Sequence, residues 1–93
     1  MKTARIHVLI AEDDVAHAGA IRRAFEAAGP ETVIKVVGTL REFRQRRVEW
    51  LPNIAVMDLN LPDGRAVEVL TSPPEAGQFP ILVMTSYGNE QVA

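Results

Sequence analysis

Three short apolar runs in this chain each stop abruptly at acidic or hydroxyl-bearing residues. Ile6-His7-Val8-Leu9-Ile10-Ala11 meets Glu12-Asp13-Asp14, Ile54-Ala55-Val56-Met57 meets Asp58, and Ile81-Leu82-Val83-Met84 meets Thr85-Ser86. Such runs are short and rich in β-branched residues, with polar groups at their ends and not alternating along them. They suit strands of a parallel sheet that is covered on both faces. The carboxyl ends of those strands lie along one rim of the sheet. The polar stops therefore converge there, and the rim is where chemistry is expected.

The segments between the runs supply the covering helices. Val15, Ala18, Ala20, Ile21, Ala24, Phe25 and Ala28 recur at helical spacing, with Arg22, Arg23 and Glu26 among them. Asp14 reads as the cap of that helix and Gly29-Pro30 as its stop. Thr32-Val33-Ile34-Lys35-Val36-Val37 is a second strand, less uniformly apolar and so suited to a place near the sheet edge. Thr39, with Glu42 three residues on, predicts a capped helix through Trp50 that carries Leu40, Phe43, Arg47 and Trp50 on one stripe. Leu61-Pro62-Asp63-Gly64 is a turn signature before a short helix from Ala66 to Thr71, Ser72 to Pro80 reads as a loop, and Pro80 opens the fourth strand. Tyr87-Gly88-Asn89 then leads towards a helix that barely begins. The order β-α-β-α-β-α-β predicts right-handed crossovers and a parallel α/β sheet. A sheet that ends on so apolar a fourth strand would leave that edge open, so residues 1–93 read as a single domain incomplete at its C-terminus.

Composition narrows the functional classes. With 93 residues, 47% of them hydrophobic, the chain has room for one domain and its core. The net charge of −2 offers no electrostatic basis for binding nucleic acid or an anionic membrane directly. The absence of cysteine excludes disulfides, thiolate catalysis and cysteine zinc sites. No apolar run approaches the roughly 20 residues that span a bilayer, and a cytoplasmic location is expected.

Glu12, Asp13 and Asp58 bring three carboxylates to the ends of two neighbouring central strands, where like charges raise one another's pKa unless something neutralises them. A hard divalent cation does so, because Mg²⁺ favours oxygen ligands and commonly takes one or two carboxylates together with phosphate oxygens. That arrangement suits phosphoryl transfer, with Asp58 as the candidate nucleophile and the Thr85 hydroxyl hydrogen-bonding the transferred oxygens.

On these residues the chain resembles the receiver domains of two-component response regulators, over nearly all of its length. Leu9-Ile10-Ala11-Glu12-Asp13-Asp14 is similar to the acidic pair after strand one of that family. Val56-Met57-Asp58-Leu59-Asn60-Leu61-Pro62-Asp63-Gly64 is similar to its phosphoacceptor segment, and Pro80-Ile81-Leu82-Val83-Met84-Thr85-Ser86 to its switch strand. The resemblance implies a flavodoxin-like, doubly wound sheet of strand order 2-1-3-4, with the fifth strand and fifth helix missing. It implies that a histidine kinase or phosphotransfer protein phosphorylates Asp58 and that a downstream output domain or protein reads the change. Asp13, Asp58 and the Asn60 carbonyl would bind Mg²⁺, with Glu12 joining through metal-bound water. Thr85 would be the switch hydroxyl, and Asn60 and Tyr87 would flank the water that hydrolyses the acyl phosphate. Such domains catalyse their own phosphorylation and dephosphorylation yet act as signalling switches. The family's lysine at the end of strand five has no counterpart here, Arg65 not being one by motif, and the 93 residues are expected either to belong to a longer polypeptide or to self-associate through the open side of the truncated form.

Plainer readings stand beside these. An acidic residue at a strand end is commonly a turn or cap residue, and only their company sets Glu12, Asp13 and Asp58 apart. His7 and His17 read as a strand neighbour and a solvated helix residue, and Arg41, Arg44, Arg46 and Arg47 as a solvated helix face. Among other functions, an interaction module of the same fold that works without phosphorylation is the first alternative. A flavin or nucleotide binder would want a Gly- or Ser/Thr-rich phosphate loop where Glu12-Asp13-Asp14 stands, and a metal-dependent phosphatase would want an acid where Asn60 stands.

Overall fold

The computed structural model describes residues 5–29, 31–71 and 79–84. Strands β1 (Ile6–Ala11), β2 (Thr32–Val37) and β3 (Ile54–Asp58) alternate with helices α1 (Val15–Ala28) and α2 (Leu40–Glu49). After β3 come two-residue strands β4 (Asn60–Leu61) and β5 (Gly64–Arg65), the short helix α3 (Ala66–Leu70) and strand β6 (Ile81–Met84). The main sheet is parallel, in the order β2-β1-β3-β6, which is the expected 2-1-3-4 order. The less apolar β2 lies at an edge, as its composition predicts. Among the described residues the β4–β5 hairpin is the one addition, formed where the sequence shows only the turn Leu61-Pro62-Asp63-Gly64.

The order dictates where the helices lie. The step from β1 to β2 runs one way across the sheet, and the step from β2 to β3 runs back past β1. With both crossovers right-handed, α1 and α2 must cover opposite faces. Two apolar clusters follow. Val8, Ile10 and Val56 pack with Ile21 and Phe25 of α1, and Leu9, Ala11, Ala55 and Met57 pack with Leu40 and Phe43 of α2 and with Ala66 and Val69 of α3. β1 is thus buried on both sides, the reason its sequence does not alternate.

Helix starts carry the caps their sequences announce. Asp14 Oδ1 accepts the His17 amide at 3.1 Å, and Thr39 Oγ1 accepts the Glu42 amide at 3.0 Å. The return arm of the second cap differs from the usual box, because Glu42 Oε1 accepts from Gly38 N–H, at 2.9 Å, and not from Thr39. A further cap comes from far along the chain. The Asp63 carboxylate accepts the Leu40 and Arg41 amides at 2.6 and 2.9 Å, tying the β4–β5 turn to the start of α2. These bonds hold the Asp63 carboxyl below its ordinary range, the Leu40 amide most of all. Gly64 sits against the same helix, and a Cβ there would meet Leu40 Cδ2 at 2.7 Å.

Arg47 corrects the solvated arginine face. It is buried, on the stripe with Leu40 and Phe43, and its guanidinium carbon lies 5.8 Å from the centroid of the Phe79 ring. Phe79 in turn meets Phe43 edge-on at 6.5 Å. An arginine can occupy this position because its stem is apolar and its planar head stacks on an aromatic face. At the amino-terminal end of the sheet, His7 stacks on Trp50 at 4.6 Å and Lys35 Nζ lies 5.1 Å from the Trp50 ring, so His7 is a strand neighbour as expected. Among the described residues no helix is long and apolar enough to cross a membrane. Leu82 and Val83 of β6 are exposed. The expected Ser72–Pro80 loop lies mostly outside the described residues, as do Thr85, Ser86 and Tyr87.

Two outcomes follow from this packing. Phe43→Ala should cost about 3–5 kcal/mol of stability, read from denaturant unfolding, because it removes a fully buried ring from the centre of one face. Asp63→Ala should lower the thermal midpoint at neutral pH, and that difference from the parent should begin to shrink near 3.8, the ordinary value, and be lost as pH falls through the lower value the folded carboxyl has.

Candidate functional site

The sheet's order reverses between β1 and β3, and crevices at such switch points collect the residues that follow the strands. Ala11 pairs with Met57 in the β1–β3 register, so the next residues, Glu12 and Asp58, are neighbours. Two bonds carry the extended backbone to that point. Glu12 N–H donates to the Val37 carbonyl at 2.9 Å, and Leu59 N–H donates to the Met84 carbonyl at 2.7 Å. Asp58 shares the α1 side of the sheet with Val56, since alternate residues of a strand face the same way.

Glu12, Asp13 and Asp58 each direct a carboxylate oxygen into one spot, all within 4.8 Å of one another. Glu12 and Asp58 are buried, at 3% and 6% exposure, while Asp13 is exposed and keeps one side of the group open to solvent. Asp58 stands at the carboxyl end of β3, beside the exposed Asp13. Carboxylate oxygens gathered in this way can hold a metal ion. Burial pushes the Glu12 carboxyl above its ordinary range, and the negative charge of Asp58 adds to the rise. Hydrogen bonds from the Asp14 amide and from His17 oppose it.

Asn60, expected as a metal ligand through its carbonyl, has its amide N–H 3.3 Å from Asp58 Oδ1, and its side-chain oxygen accepts from Arg65 Nε at 3.3 Å. Thr85, the expected switch hydroxyl, lies outside the described residues. Asp14 is the helix cap and stands apart from the converging group of three.

His17 corrects an expectation. It is not simply solvated, because its Nδ1 lies 2.6 Å from Glu12 Oε1, while Glu12 Oε2 accepts the Asp14 amide at 3.1 Å. One signal in the sequence could have pointed to it. His17 is the third residue after the cap Asp14, and helical side chains lean back towards the amino terminus, which here is the rim.

No family model matches the chain. It is 33% identical over 95 aligned positions to the methanogenesis regulatory protein FilR1 of Methanothrix harundinacea (strain 6Ac). The similarity covers 92% of this chain, which spans about one fifth, 20%, of that relative's length.

The Glu12 environment makes a pH prediction. Its carboxyl is raised in the folded state, so its ionisation disfavours folding, and the associated stability is full below about 4.5 and is lost as pH rises through the elevated value. Thermal melts without divalent cations should show this loss in the parent protein and much less of it in Glu12→Gln.

Proposed function

We propose that this chain is a phosphoacceptor module of the receiver type, in which Asp58 takes a phosphoryl group from a histidine kinase or phosphotransfer protein and the altered rim changes affinity for an output domain or protein. The observation that carries the proposal is the convergence of Glu12, Asp13 and Asp58 within 4.8 Å at the sheet's switch point. The regulatory role in the name of the aligned relative supports a signalling reading, as do the three motifs in order along the sequence.

The donor set suits Mg²⁺. Mg²⁺ takes carboxylate oxygens and keeps several waters, which fits a group of three acids of which one, Asp13, faces solvent. Asp13, Asp58 and the Asn60 carbonyl would hold the ion, with Glu12 joining through its water. When bound, the ion supplies positive charge that offsets the carboxylates and the incoming phosphoryl oxygens.

The chain's own residues do the rest. An Asp58 carboxylate oxygen attacks phosphorus, the bond to the donor breaks, and the donor leaves with the bonding electron pair. The amide of Asn60, already directed at Asp58 Oδ1, orients the nucleophile. Thr85 follows β6 and is assigned the hydroxyl that meets the transferred oxygens, while Asn60 and Tyr87 are assigned to flank the hydrolytic water.

Mass spectrometry of the full natural polypeptide after incubation with acetyl phosphate and Mg²⁺ should show a gain of one phosphoryl group. Asp58→Asn should abolish the gain and omission of Mg²⁺ should reduce it strongly. A folded, Mg²⁺-binding protein that gains no such mass would sink the proposal and favour an interaction module that works without phosphorylation.

A further inference from the structure

We infer that His17 is a positioning residue of the acidic pocket: its imidazole holds the Glu12 carboxylate in the one orientation from which that group can meet a bound cation or its water. The inference rests on the reading of the pocket as a cation and phosphoryl site, and it assigns a role to a residue outside the three whose ligand atoms converge.

The geometry is specific. The Glu12 side chain is 1% exposed and carries one more rotatable bond than aspartate would, so without restraint it has several ways to sit beside Asp58. Both of its oxygens are instead engaged from the α1 side, Oε1 by His17 Nδ1 at 2.6 Å and Oε2 by the Asp14 amide at 3.1 Å. An ionised carboxylate offers about four lone-pair sites, so one contact on each oxygen leaves others free to meet a cation or its water. Repulsion from Asp58 works against this arrangement, and the imidazole is the side chain that counters it.

His17 is itself well placed. Its backbone amide is fixed by Asp14 Oδ1 at 3.1 Å, and its side chain is 25% exposed, so the ring is anchored by α1 and still borders solvent. Groups that orient a metal's ligands in this way commonly set affinity without touching the ion.

The test is Mg²⁺ titration by calorimetry on the full natural polypeptide, with thermal midpoints measured without cation as a check on folding. His17→Ala should weaken Mg²⁺ binding by about tenfold or more, the range typical for loss of an outer-shell partner. His17→Asn should restore most of the affinity, because its amide nitrogen falls near the position of Nδ1. His17→Gln should restore less, since its amide reaches towards the position of Nε2. Phosphorylation by acetyl phosphate should slow in His17→Ala at limiting Mg²⁺ and recover at saturating Mg²⁺, which loss of a group acting on the phosphoryl itself would not allow.

A parent protein that binds Mg²⁺ and accepts the phosphoryl group, beside a His17→Ala variant of unchanged affinity, would overturn the role of His17 and leave the pocket's function standing. If His17→Ala fails to fold, the Asn and Gln variants decide, and equal affinities for the two would overturn the geometric claim. A parent that neither binds Mg²⁺ nor gains a phosphoryl group would bring down both readings.

Discussion

The register between β1 and β3 is the constraint on which the rim depends. Ala11 opposite Met57 makes Glu12 a neighbour of Asp58, and a slip of one residue would turn the Asp58 side chain to the opposite face of the sheet. β1 is tied to a different neighbour at each end. Near the start of β1, Asn53 exchanges two hydrogen bonds with the His7 backbone, at 2.7 and 2.8 Å. Near its end, Glu12 N–H donates to the Val37 carbonyl of β2, which fixes β1 to its other neighbour. Between them lies a core on both faces of β1, with Val8 and Ile10 facing α1 and Leu9 and Ala11 facing α2, which no shifted register would preserve.

That rigidity makes a close group of acids tolerable. A buried carboxylate is costly unless donors reach it, and Glu12 has two, both from the segment that begins α1. On the other side of the sheet, the segment after Asp58 is secured by the β4–β5 hairpin, whose Asp63 binds the first amides of α2. The rim is thus joined by hydrogen bonds to helices on opposite faces, one link through Glu12 and His17 and the other through Asn60, the hairpin and Asp63.

Most of the architecture was legible in advance because it follows from local patterns. The apolar runs marked β1, β3 and β6, the mixed composition of Thr32–Val37 marked an edge strand, and Asp14 and Thr39 marked helix starts. What local pattern misjudged were residues of mixed character. Arg47 carries a charge that suggests a solvated face, yet its stem and planar head fit against Phe79, so it is buried. His17 sits between alanines on a helix, and its place three residues after the cap Asp14 points it towards the rim without naming its partner, because the contact depends on how α1 lies against the strand end. The β4–β5 pairing involves only two residues a side, too few to leave a periodicity.

The elements, their order and the acids that close β1 and β3 are local properties of the chain, since burial and capping preferences belong to neighbouring residues and hold without knowledge of the fold. The handedness of parallel crossovers then allowed only one arrangement of helices for the strand order found. Tertiary structure alone decided that Glu12 would lie against His17, that Asp63 would cap a helix that begins 23 residues earlier, and that Arg47 would turn inward. Each of these depends on the distance and angle between packed elements, quantities set by how whole faces fit together and carried by no single stretch of chain.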